Sequence, residues 1–237
     1  MAVSSRIAVL VRRLRRKETA AVADVRQTHR RAVDSGEWTQ PIRTMTFTAL
    51  GCETTGPDPT RDTIRSVGAV KIRSNRIALG GRFYQVFRPG ESLSPKEIAL
   101  TRGLDRDGLS RTTPLPGLER LVAFIGDSVL VGHGAELDVQ FLNAALAARA
   151  GGALQAAAID TRLLHRWSRR SGSLPDPLPG EARLEDLVVE LRLPRYLAHH
   201  AFYDALTTAL AFLKLLGQFE TSGAVQFRAL YREAGVY

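Results

Sequence analysis

One cysteine, Cys52, occurs in 237 residues, which excludes an intrachain disulfide framework and any zinc site built from several thiolates. No apolar run approaches the roughly 18 residues needed to cross a bilayer, and residues 7–11 are too short for a secretory apolar core. The expectation is a soluble, cytoplasmic chain with no membrane partner. Lysine is also scarce: 4 of the 33 basic residues are Lys, so arginine carries the positive charge. Glycine and proline, at 20 and 11, stay near the globular average and exclude a collagenous or low-complexity chain.

What is present fits one compact domain with an extension. The formal net charge is +9, and residues 1–45 hold ten Arg or Lys against four Asp or Glu. A polyanionic partner is therefore expected, with its charge complement concentrated near the N-terminus. Residues 5–34 read as a basic, partly amphipathic helix, because Ile7, Leu10, Val11 and Leu14 fall at helical spacing between arginines. Asp34-Ser35-Gly36 and Pro41 punctuate a linker, so residues 1–43 form a basic arm and linker.

From residue 44 the pattern becomes extended. Residues 45–50, 64–72 and 76–87 read as an antiparallel meander, with a Gly/Pro/Asp loop at 56–62 and a turn at Ser74-Asn75. Short helices are expected at 95–102 and 105–109 and a longer one at 115–125. A strand at 128–132, a helix at 135–150, a strand at 156–160 and a helix at 161–170 follow. After a Ser/Pro/Gly loop at 169–180, helices at 184–191 and 200–217 close the domain, which spans 44–218. Residues 219–237 read as a less regular tail. The order β-β-β-α-β-α-β-α predicts an α/β fold, a mixed five-stranded sheet flanked by helices, with the N-terminal basic helix outside it.

Acidic and imidazole side chains stand at the ends of these elements, where separate segments converge. Glu53 follows the first strand and precedes Thr54-Thr55-Gly56; Asp138 opens a helix after Gly132-His133; His199 and Asp204 head the last long helix. Each alone has a structural reading, such as an acid complementing a helix dipole.

Together they resemble the DnaQ-like (DEDDh) 3′-5′ exonucleases, which include the epsilon subunit of bacterial DNA polymerase III. Gly51-Cys52-Glu53-Thr54-Thr55-Gly56 is similar to the first motif, Asp-x-Glu-Thr-x-Gly. The stretch 131–142, with Asp138, is similar to the second. His199-x-Ala201-x-x-Asp204-Ala205 matches the third, in its histidine subtype. Ile159-Asp160-Thr161 and Leu184-Glu185-Asp186-Leu187 also fall where that family has a strand-to-helix Asp and a Leu-rich helix. The resemblance implies a ribonuclease H-like fold and phosphodiester hydrolysis at DNA 3′ ends with two Mg²⁺ or Mn²⁺ ions. Such chemistry needs a delivered hydroxide and neutralised oxygens, hence hard cations on carboxylates and a histidine base. By resemblance Glu53, Asp138 and Asp204 are the metal ligands, with Glu53 and His199 catalytic. Thr54 and Thr55 set backbone against the terminal nucleotide, and Phe141 or Leu137 packs on its sugar or base. Single-stranded DNA 3′ ends are the implied partner, with RNA ends and a DNA polymerase subunit as alternatives.

The sequence departs from that pattern at two places. Gly51 stands where the family has the Asp that bridges both ions, and Gly134 where it usually has Asn. Side chains alternate along a strand, so positions 51 and 53 share a face and Cys52, a soft ligand, points the other way. Asp58 or Asp62 reaches back only if the following loop folds over the site. Losing the bridging carboxylate removes about 4 kcal/mol or more of transition-state stabilisation, roughly a thousandfold in rate. A weakened, nucleic-acid-binding or polymerase-associated module is the alternative reading.

Overall fold

The computed structural model describes residues 41–87, 114–150, 153–154, 156–171, 182–220 and 226–236. The basic helix expected at 5–34 and the short helices at 95–102 and 105–109 lie outside the described residues. A 3-10 turn, Ile42–Thr44, leads into strand β1 (Thr46–Thr54), followed by β2 (Ile64–Arg73), β3 (Arg76–Val86), α1 (Pro114–Ile125), β4 (Val129–Gly132) and α2 (Ala135–Ala150). Then come β5 (Ala158–Asp160), α3 (Thr161–Arg170), α4 (Leu184–Glu190), α5 (Ala201–Glu220), α6 (Phe227–Ala234) and β6 (Gly235–Val236).

One mixed sheet carries all six strands in the order β3-β2-β1-β4-β5-β6. The meander β1-β2-β3 is antiparallel, as the turn at Ser74-Asn75 predicts; both residues have positive φ. β4 runs parallel to β1 and β5 parallel to β4. The fold is thus the α/β arrangement expected, with a sixth strand added at one edge.

Alternation along β1 decides which helices pack where. Phe47 and Ala49 join Val70, Ile72, Val131 and Ile159 on the face covered by α3, α4, α5 and α6, where Leu164, Leu187 and Phe212 meet them. Leu50 joins Val67, Ala69, Leu130 and Ala158 on the opposite face, beneath Leu118, Leu121, Val139 and Leu146 of α1 and α2. Gly51 and Glu53 therefore face α5, and Cys52 faces α2.

Three expectations are corrected. β1 runs on to Thr54 rather than ending at Leu50, because positions 51–53 pair in register with Gly68, Val67 and Ser66 of β2. The tail is part of the domain: Phe227, Leu230 and Ala234 of α6 are buried in the α5-side core, and β6 pairs antiparallel with β5. Ile42 is buried there too, so the compact unit begins before residue 44.

On the α1/α2 side Lys71 is buried, with Nζ donating to Thr48 Oγ1, Ser128 Oγ and the Ile125 carbonyl, each at 2.8 Å. Burial pushes its pKa down to about 8. This knot ties the α1–β4 turn to the sheet.

Candidate active site

A cleft of about 500 Å³ opens at the C-terminal ends of β1 and β4, where the chain's parallel strands meet the antiparallel meander. Crevices at that position are the usual ligand sites of open α/β sheets. Gly51, Asp138, His199 and Asp204, from three separate segments of the chain, all line it. Glu53 stands beside them, near enough for its charge to act on Asp204.

Local structure explains each placement. Asp138 sits in the first turn of α2, which starts directly after β4 through Gly134 at φ +84°, a conformation that favours glycine. The buried Asp160 carboxylate holds that start: it accepts from the backbone N–H groups of Gly134 (3.2 Å) and Ala135 (3.1 Å) and caps α3 through Arg162 N–H (2.8 Å). One acid thus fixes the N-termini of two helices on the cleft. Arg162 returns to Asp160 through Nη2 at 3.0 Å and itself lines the cleft. His133 Nδ1 lies 2.9 Å from Thr161 Oγ1. His199 adopts φ +59°, sparsely populated for a non-glycine residue, immediately before α5. Its side chain is exposed, and the turn at that position leaves it on the cleft wall.

The acids crowd one another. Burial, together with the charges of Asp160 and Asp204, pushes the Asp138 carboxyl up to about 8, against the opposing pull of the Cys52 hydrogen bond and Arg162. Burial and the Glu53 carboxylate push Asp204 up to about 6, while His199 pulls it back. The Cys52 thiol is pushed up by burial and by Asp138, so it is an inert hydrogen-bonding partner and not a reactive thiolate. Burial holds the His133 pKa down. Glu53 accepts a hydrogen bond from Ser66 Oγ at 2.5 Å.

Gly51 is the decisive departure, and packing explains it. A Cβ built there lies 2.7 Å from the Ala201 carbonyl oxygen, 3.0 Å from Ala205 N and 3.3 Å from Asp204 Cβ. Its cross-strand partner is Gly68, where a Cβ lies 2.3 Å from Phe202 Cα. The first turn of α5 is seated on this glycine pair, in the space that an aspartate at position 51 needs. Asp58 and Asp62 do not fill the gap. Asp62 accepts from Thr55 Oγ1 (2.9 Å) and Asp58 N–H (3.0 Å), and Asp58 accepts from Thr60 (2.9 Å to N, 2.7 Å to Oγ1). Both acids are occupied in holding their own loop.

Thr54 and Thr55 belong to that loop's frame: Thr54 Oγ1 donates to the Gly56 carbonyl (2.7 Å), and Thr55 N–H to the Thr63 carbonyl (3.0 Å). Leu137 is 41% exposed at the head of α2. Phe141, one turn further on, is 2% exposed and packed in the core under α1 and α2. Its expected contact with substrate is therefore corrected to a packing role. Arg162, Glu185 and Gly68 were not singled out from the sequence. Glu185 lay in a quoted motif, whereas Gly68 becomes visible only through strand register.

Three carboxylates offer hard oxygen donors, and their mutual repulsion is what a divalent cation relieves. They fit such a cation in kind, one ligand short of the family's set. Among the described residues no group of three or more His, Cys, Asp or Glu side chains is already arranged to hold a metal ion. No described helix is long and apolar enough to cross a membrane.

Comparison with known proteins bears on the family and the fold. The family described as exonuclease, of the RNase T type, matches residues 49–212, well over half of the chain. The PolC-type DNA polymerase III of Thermotoga maritima is 29% identical over 179 residues, covering 75% of this chain and 12% of that protein. The PolC-type enzyme of Halalkalibacterium halodurans is 31% identical over 172 residues, covering 71% and 11%. The chain thus spans about 12% of the length of these curated relatives. Escherichia coli exonuclease I in complex with a dT13 oligonucleotide superposes with a TM-score of 0.57 at 18% identity, over 75% of this chain and 42% of that one. Its zinc-bound complex with single-stranded DNA gives 0.58 at 17%, over 75% and 41%. Cell-death related nuclease 4 gives 0.53 at 16%, over 74% and 64%. These structural likenesses show a shared fold.

Proposed function

For this chain, which belongs to the exonuclease family, we propose a divalent-cation-dependent 3′-5′ exonuclease of single-stranded DNA ends, slowed by the absence of a carboxylate at position 51. The observation that carries this reading is the convergence of Asp138, His199 and Asp204 on one cleft beside Glu53.

Glu53, Asp138 and Asp204 would hold the cation, Mg²⁺ or Mn²⁺ by the hardness of the donors. When bound, such a cation neutralises phosphate charge and lowers the pKa of water. The chain's own groups do the rest. His199, on the exposed lip of the cleft, accepts the proton of the attacking water. Arg162 and Arg183, both on the cleft wall, offer guanidinium donors to the scissile phosphate. Asp160 fixes Arg162 and keeps α2 and α3 in place while the strand end binds. None of these groups inspects a 2′-hydroxyl, so RNA ends are the second substrate to assay. Association with a polymerase is proposed by analogy with the PolC-type relatives.

The test is a 5′-labelled single-stranded DNA oligonucleotide incubated with Mg²⁺ or Mn²⁺. Stepwise 3′ shortening is expected, abolished by chelation and lowered at least about 100-fold in His199→Ala. An oligonucleotide that is bound but never shortened, under either cation, replaces the nuclease reading with the binding-module reading. Gly51 and the helix seated against it are the observations that favour that alternative.

A further inference from the structure

Five large apolar side chains stand exposed among the described residues, and three of them, Val189, Tyr196 and Leu197, gather on one surface at 62%, 41% and 37% exposure. They wall a groove of about 210 Å³ between α4, the loop after it and the first turns of α5. Clustered exposed apolar side chains mark interaction sites. This groove is not remote from the chemistry: Leu184, Glu185 and Asp204 form part of both its wall and the wall of the catalytic cleft. Tyr196 lies parallel to Tyr203, with centroids 5.7 Å apart and planes 10° apart. That stack fixes the orientation of a ring that is still partly exposed. Positive charge flanks both cavities, with Arg183 on the cleft and Arg195 on the groove.

We propose that the groove is a nucleobase subsite: it takes an unpaired base of the strand whose terminal phosphodiester occupies the cleft, packed against Tyr196 and Leu197 with Arg195 beside the connecting phosphate. The inference rests on the nuclease reading and deepens it. A nucleobase has the required chemistry, a flat apolar ring tethered to an anion one nucleotide away. Aromatic faces paired with arginine are how single strands are held without sequence preference. The size also selects the occupant, since about 210 Å³ is below the range of about 300–1,000 Å³ typical of drug-sized ligands and suits one ring system better than a protein segment. Only an unpaired base can enter, so the subsite gives a preference for single-stranded or frayed ends over blunt duplex.

The experiment uses the full chain in Ca²⁺ or in EDTA, so that binding is read without turnover. Fluorescence anisotropy follows labelled single-stranded oligonucleotides that are intact or carry one abasic nucleotide at each of the three 3′-terminal positions in turn. In the parent protein one position weakens binding about tenfold when its base is removed. Tyr196→Ala loses about the same factor with the intact strand and no longer responds to the abasic nucleotide at that position, whereas Tyr196→Phe keeps the parent pattern. Unchanged binding by Tyr196→Ala, or an abasic response that survives in it, overturns the subsite and gives the groove to a protein segment. A parent protein that shortens intact strands but shows no abasic position dependence also overturns it and leaves the nuclease reading standing. A parent protein that neither binds nor shortens any strand overturns the nuclease reading and the subsite with it.

Discussion

Replacing Gly51 by alanine separates steric from electrostatic reasons for the missing carboxylate. Strand propensity alone says that the change helps, because glycine in a strand interior weakens it and alanine restricts the unfolded chain, an effect of about 0.4–1 kcal/mol. The structure gives the opposite sign. The new Cβ meets the Ala201 carbonyl oxygen at 2.7 Å, about 0.8 Å inside the optimum of about 3.5 Å, and the atoms it meets are backbone of a helix start that cannot rotate away. Overpacking of this kind destabilises by about 1–3 kcal/mol, and a domain of this size loses roughly 2–4 °C of melting temperature per kcal/mol. Gly51→Ala is therefore expected to melt about 2–12 °C below the parent. Gly68→Ala, with Phe202 Cα at 2.3 Å, falls at least as far.

Gly51→Asp adds to the same clash a fourth carboxylate beside Glu53, Asp138 and Asp204, at about 1 kcal/mol or more in metal-free protein. The gap between the Asp and Ala variants should close as Mn²⁺ is added, because only the charge part of the penalty responds to a cation. Since α5 carries His199 at its entrance and Asp204 in its first turn, displacing it spoils the geometry that the restored ligand needs. The gain in nuclease rate is then expected to stay well short of the roughly thousandfold that the electrostatic argument alone supplies. Thermal melts of the three proteins, with and without Mn²⁺, decide the matter. A Gly51→Ala protein that melts at or above the parent refutes the seating of α5 on the glycine pair.

Three further outcomes are expected. Metal-free protein should lose stability as pH rises from about 4 to 8. Asp138 and Asp204, at about 8 and about 6, hold protons in the folded state that their unfolded forms release near 3.8, so the stability present below pH 4 is lost through those two values. Denaturant titrations should show stability falling across this range, and the upper part of the slope should vanish in Asp138→Asn. Asp160→Ala strands the N–H groups of Gly134, Ala135 and Arg162 at once, and should lower unfolding free energy by about 3–5 kcal/mol; a loss below about 1 kcal/mol would contradict its role as a double cap. Lys71→Met should stay within about 1 kcal/mol of the parent, because Thr48 and Ser128 remain 2.5 Å apart and Ser128 still donates to the Ile125 carbonyl. A large loss in urea titrations would show that the ammonium itself holds the turn.

The parts of this molecule that were legible in its sequence are those whose signal is local. Apolar spacing in residues 135–150 and 161–170 marks α2 and α3, because a helix buries one stripe and the stripe is written at 3.6-residue intervals. β6 was not legible, since two residues cannot display a period and it exists only by pairing with β5. α6 is legible in part: Phe227, Leu230 and Ala234 keep helical spacing in a stretch that otherwise reads as a tail. The end of β1 was hidden because Gly51-Cys52-Glu53 lacks strand-forming residues and is extended by its register with β2.

The site divides along the same line. Motif spacing brought Asp138, His199 and Asp204 to one cleft, yet the same reasoning set Phe141 against substrate when α2 carries it over the sheet. The reading of Gly51 shows most clearly where local inference ends. In sequence it is a deleted ligand, a vacancy that one substitution refills. In the fold it is half of a cross-strand pair whose other half, Gly68, has no motif around it, and the backbone of α5 packs directly on both glycines. A change that looks reversible along the chain is coupled in three dimensions to a second glycine and to the position of two functional side chains. Returning the carboxylate alone therefore acts on packing before it acts on chemistry.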